Sequence, residues 1–78
     1  MNATRMIDQH VRDAVYQYIR TLGNPGDVVK TSIWRFLVTE FGMTGPAAKR
    51  ARGIATKQLT ADGFVRRQNV RGNLEILR

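Results

Sequence analysis

The stretch from Thr44 to Phe64, TGPAAKRARGIATKQLTADGF, decides how this chain of 78 residues is read. Thr44 offers a helix N-cap, and Pro46 suits the first turn, where a missing N–H goes unused. Projected at about 100° per residue, positions 47–62 separate into two faces. Ala47, Ala48, Ala51, Ile54, Ala55 and Leu59 occupy one side; Lys49, Arg50, Arg52, Thr56, Lys57 and Thr60 occupy the other. Gly63 ends the segment. An inner face made mostly of alanine predicts a helix that lies very close to its neighbours.

Upstream, Ile33, Trp34, Leu37, Val38 and Phe41 form a broad apolar helical face closed by Gly42, with Thr31 or Ser32 as the cap. Trp34 is expected to anchor the core rather than stack on a base. Before it, Ile7, Val11, Ala14, Val15, Tyr18, Ile19 and Leu22 recur at helical steps behind an N-cap at Thr4. Gly23 reads as a left-handed cap, and Asn24-Pro25-Gly26 as a turn. Val28-Val29 is β-branched but too short to stand alone, so it needs a strand to pair with. Downstream, Phe64–Gln68 and Leu74–Arg78 flank Asn69-Val70-Arg71-Gly72-Asn73 and read as a β-hairpin. The expected helices cover 5–22, 32–41 and 45–62, and the expected strands 28–30, 64–68 and 74–78.

Composition narrows the classes. The chain reads as one domain over residues 1–78, with 42% hydrophobic residues and a formal net charge of +7. Without cysteine, neither disulfides nor thiolate ligands are available. No apolar run approaches the roughly 18 residues of a membrane-spanning helix, and the N-terminus lacks the uninterrupted apolar stretch of a signal peptide. The expectation is a soluble cytoplasmic protein with no membrane partner.

The charge is segregated. Residues 1–43 carry five basic and four acidic side chains, whereas 44–73 hold Lys49, Arg50, Arg52, Lys57, Arg66, Arg67 and Arg71 against Asp62 alone. Such a field concentrates polyanions, and phosphate neutralisation supplies most sequence-independent nucleic-acid affinity.

The order helix, strand, helix, helix, hairpin is most simply a three-stranded antiparallel sheet against a three-helix core. That α+β arrangement, α-β-α-α-β-β, is the winged helix-turn-helix. Phe41-Gly42-Met43-Thr44-Gly45-Pro46-Ala47-Ala48 resembles the turn of bacterial winged-helix regulators of the multiple-antibiotic-resistance type. Leu59-Thr60-Ala61-Asp62-Gly63-Phe64-Val65 is similar to their exit from the recognition helix into the first wing strand. The resemblance implies a helix-turn-helix over about 32–62, a wing over about 64–78, and pairing of Val28-Val29 with the terminal strand. Two departures stand out. Pro46 to Gly63 is about one helical turn longer than in that family, and Ala47 and Ala48 replace polar base-contacting residues. The dimerisation helix of larger regulators has no counterpart here, so neither their ligand pocket nor their dimer is expected.

The functional expectation is sequence-specific binding of double-stranded DNA by a small, nucleoid-associated transcriptional regulator that acts by occupying its site. Stand-alone regulators of this shape occur in phages and other mobile elements, recombination directionality factors included. The expected DNA-binding residues are Thr44, Lys49, Arg50, Arg52, Gly53, Thr56, Lys57, Arg66, Arg67 and Arg71. Lys49 and Arg50 lie near the helix start, where recognition helices touch base edges; Arg52 and Lys57 read as phosphate contacts. Gly53 costs about 1 kcal/mol relative to Ala in a helix interior; close approach of DNA would justify it, and a kink or drift without consequence are the alternatives. Arg66, Arg67 and Arg71 decorate the hairpin, where arginines enter narrow minor grooves. His10, the only histidine, has no partner set for a metal. No phosphate-cradling Gly-rich motif, cofactor signature or nucleophile–base pair supports catalysis; Asp8 and Asp13 are five apart and do not share a helix face. A weak homodimer through Tyr16 or Leu77, or cooperative assembly on DNA, is the expected association. Structured RNA and an acidic protein are the alternative partners.

Overall fold

Apolar side chains recurring at helical spacing produce three helices, and three short runs produce one sheet. A computed structural model describes residues 9–70 and 72–78. The elements are α1 (Gln9–Arg20), β1 (Val28–Lys30), α2 (Ile33–Phe41), α3 (Gly45–Ala61), β2 (Val65–Arg67) and β3 (Asn73–Ile76). The sheet order is β1-β3-β2 with both pairs antiparallel. The short β1 therefore finds its partner in the last strand, Val29 opposite Leu74 and Lys30 opposite Asn73.

Each element turns one face to a single core. Val15 and Ile19 come from α1, Ile33 and Leu37 from α2, Ala48, Ala51, Ala55 and Leu59 from α3, and Val29, Val65, Leu74 and Ile76 from the sheet. Ala48 and Ala55 have no solvent exposure. Interiors pack at crystal-like density, so methyl-sized side chains here mean that the α3 backbone itself lies against its neighbours. The α2–α3 turn spans only Gly42 to Thr44. Gly42 takes the left-handed conformation (φ 65°), and its N–H donates to the Val38 carbonyl at 3.1 Å. The Thr44 hydroxyl oxygen then accepts the Ala47 N–H, with Pro46 in the first turn.

α1 and the hairpin are joined at the far end of α3. The Arg12 guanidinium donates to Asp62 at 2.7 Å and to Asp13 at 2.9 Å, and lies 5.9 Å from the centre of the Phe64 ring. Tyr16 packs on the same ring and donates its hydroxyl to the Arg78 carbonyl. Exposed ion pairs contribute little, about 0–1 kcal/mol; this one fixes geometry more than it adds stability.

Several expectations need correction. Helix α1 ends at Arg20, and Thr21-Leu22 turn away, leaving Leu22 exposed. Gly23 is not left-handed; it is needed because a Cβ would come within 2.9 Å of Val29 and 3.0 Å of Asp27. Ser32 occupies the N-cap of α2 without a side-chain bond, and its own N–H donates to the Tyr18 hydroxyl at 2.9 Å. Trp34 is not a core anchor: it is 37% exposed, and its indole N–H donates to the Gly45 carbonyl at the start of α3. Tyr16, read as an exposed dimer contact, is half-buried by Phe64. Both hairpin strands are shorter than expected. Thr4, Ile7 and Asp8 lie outside the described residues.

The alanine face yields a direct test. We predict that Ala55→Leu forces α3 off its neighbours and destabilises the domain by about 1–3 kcal/mol. Differential scanning calorimetry should show the midpoint falling by about 4–8 °C for each kcal/mol lost. An unchanged midpoint would mean that α3 does not pack by backbone approach.

Candidate nucleic-acid interface

The outer side of α3 carries cations without counter-ions. Lys49, Arg50 and Lys57 are exposed, and among the described residues no salt bridge reaches them. Three carboxylates are engaged elsewhere, Asp13 and Asp62 on Arg12 and Glu75 on Arg66, and Glu40 is exposed on α2. Asp27 accepts the Asn24 N–H inside the turn after α1. The positive field of α3 is therefore not cancelled locally.

The hairpin divides its two adjacent arginines. Side chains alternate along a strand, and Val65 is buried toward α3. Arg67 shares that side and sits opposite Leu74, whereas Arg66 sits opposite Glu75 on the other side. Arg66 is bound there: its guanidinium lies 2.9 Å from Glu75, and Gln68 donates to the same carboxylate oxygen at 3.3 Å. Of the two arginines expected on DNA, the strand register therefore turns only Arg67 to the side of α3. Arg71 lies outside the described residues.

Between α3 and the hairpin is an open cleft of about 410 Å³, lined by Arg52, Gly53 and Thr56 from α3 and by Arg67, Gln68 and Asn69 from the hairpin, with Thr31 at its edge. Arg52 belongs here rather than beside Lys49 and Arg50. It follows buried Ala48 by four residues and precedes buried Ala55 by three, so it flanks the buried stripe. Thr56, one turn later on that flank, is only 7% exposed, and its hydroxyl donates to the Arg52 carbonyl at 2.8 Å. Its outward placement is therefore corrected: Thr56 forms the floor of the cleft. Gly53 is half-buried, and a Cβ there would meet nothing within 4 Å.

Sequence reasoning missed the residues that hold the hairpin in place. The Thr31 N–H and hydroxyl both donate to the Gly72 carbonyl, at 2.8 and 3.0 Å. Thr31 reads in sequence only as a helix cap. Its hydroxyl type and its position after a strand were the available signals.

Among the described residues, no group of three or more His, Cys, Asp or Glu side chains could hold a metal ion. The exposed His10 ring lies edge-on to Phe41, with centroids 6.1 Å apart. No helix among the described residues is long and apolar enough to cross a membrane. Comparisons with protein-family models, curated proteins and solved structures found no match to this chain.

The split of the two hairpin arginines can be measured on a generic polyanion. Arg66→Ala and Arg67→Ala each remove one charge, yet only Arg67 shares a side with α3. We predict that Arg67→Ala elutes from heparin at clearly lower salt than Arg66→Ala. Equal elution of the two variants would contradict the division.

Proposed function

We propose that this chain is a winged-helix module that binds double-stranded DNA, with α3 in the major groove and the β2–β3 hairpin against the neighbouring backbone or minor groove. The observation that carries the reading is the uncompensated cationic side of α3 beside a hairpin that turns Arg67 toward it. A major groove about 12 Å wide accepts one α-helix, itself about 10–12 Å across. The element order α-β-α-α-β-β and the strand order β1-β3-β2 are compatible with that class of fold. The three-residue turn and the Thr44 cap hold α3 rigidly on α2, as a reading helix requires.

In this assignment Lys49 and Arg50, in the first half of α3, face base edges, and Lys57 contacts a phosphate. Only contacts to base edges carry sequence information directly; phosphate contacts set register and orientation. The protein would act as a regulator by occupying its site, associated with the nucleoid, and copies would assemble on adjacent sites. A module of this size covers about 600–1,000 Å² of protein surface on DNA, and paired half-sites lengthen the address.

Selection of binding fragments from random duplex DNA, followed by affinity measurements across a salt series, tests the reading. We expect log K to fall linearly with log salt. Lys49→Ala with Arg50→Ala should narrow the gap between selected and random duplex, with each lost base contact removing about 1–3 kcal/mol of discrimination. Lys57→Ala should weaken both alike and lower the salt slope by about one. Double-stranded RNA outcompeting every duplex DNA, or affinity indifferent to salt, would sink the proposal.

A further inference from the structure

Gly53 is a mid-helix glycine of α3 that the protein's own packing does not explain. It sits mid-helix, where glycine is among the poorest helix formers, yet a side chain at this position would enter open space. Nothing in the protein therefore excludes alanine. What the position borders is the cleft between α3 and the hairpin, with Arg52 as its sequence neighbour and Arg67 opposite on the hairpin. Among the described residues, neither guanidinium makes a hydrogen bond or ion pair. Two cations thus line one concave site without an anion between them. Its volume of about 410 Å³ falls within the ~300–1,000 Å³ typical of binding sites for compact ligands.

The remaining lining is mixed, polar and apolar, as a sugar–phosphate chain with its apolar deoxyribose requires. Thr31, Gln68, Asn69 and Asn73 supply hydrogen-bonding groups beside the apolar Ile33, Val70 and Leu74, and among the described residues no acidic side chain lines the cleft. Arginine presents a planar fork of donors that matches phosphate oxygens, so two of them converging on one phosphate is a chemically matched arrangement.

We propose that this cleft clamps a single phosphodiester of the bound duplex between Arg52 and Arg67, with Gly53 kept bare so that the sugar–phosphate chain can lie against α3. The inference rests on the DNA-binding reading and adds to it one shared phosphate, the two residues that hold it, and a reason for the glycine.

Gly53→Ala gives a test in which stability and binding move in opposite directions. Replacing glycine by alanine in open helical space should raise the thermal midpoint by about 4–8 °C, while affinity for a duplex carrying the selected site falls at least tenfold. Gly53→Leu, which fills the cleft further, should weaken binding more. The salt series counts phosphates: each neutralised phosphate contributes about 0.9 to the slope. Arg52→Ala combined with Arg67→Ala should lower that slope by about one if they share a phosphate, and by about two if each holds its own. A wild type that leaves duplex DNA unbound removes the DNA-binding reading and the clamp together. A wild type that binds normally while Gly53→Ala and Gly53→Leu bind equally well removes the clamp alone, as does a slope change of two. Inorganic phosphate or a free mononucleotide binding the wild type as tightly as duplex would also overturn it, by showing a site for small anions.

Discussion

The rest of the structure depends on how closely α3 can approach the other two helices. Ala48, Ala51 and Ala55 make that approach possible, because a methyl group is the smallest side chain that still excludes water from a helix contact. Once α3 is seated, its opposite side is necessarily the outermost part of the domain. The sheet then closes on the flank that α3 leaves open, with Val65, Leu74 and Ile76 covering the helix end. The exposed cations and the cleft beside them are geometrical results of that one packing decision.

Charge is arranged by pairing as much as by position. One guanidinium, Arg12, holds both Asp13 and Asp62 on the side where α1 meets the hairpin base. Arg66 holds Glu75 on the outer side of the sheet. These exposed pairs add little to stability. Their effect is to occupy carboxylates that would otherwise offset the field of α3. The net charge of +7 thus understates how one-sided the molecule is.

Much of this was legible in the sequence because the signals were periodic or stereochemical. The Thr44 cap, the closing Gly42 and most of the apolar stripes of α2 and α3 each have a local physical cause and stand where expected. The failures share a different cause. Thr56 was placed outward because it is polar, but a helical threonine can satisfy its hydroxyl on the carbonyl one turn back and so be buried. Trp34 reads inward because it is apolar, yet its indole N–H needs an acceptor and finds it in the Gly45 carbonyl at the start of α3. Which side of the sheet each of Arg66 and Arg67 takes follows from the two-residue period of a strand only once the register with β3 is known. Local chemistry was readable; which face a neighbouring element would cover was not.

The double bond from Thr31 to Gly72 has an entropic consequence. The N–H and hydroxyl of one residue converge on one carbonyl, so the loop end of the hairpin is fastened to the residue that follows β1, and the cleft has two walls belonging to one body. A ligand entering it need not wait for a loop to fold around it. What must be ordered is two arginine side chains, at about 0.5–1.5 kcal/mol for each immobilised side chain, rather than a backbone segment at about 1–2 kcal/mol for every residue. Such a site gains affinity by being formed in advance, and it loses the freedom to reshape itself around targets of different curvature.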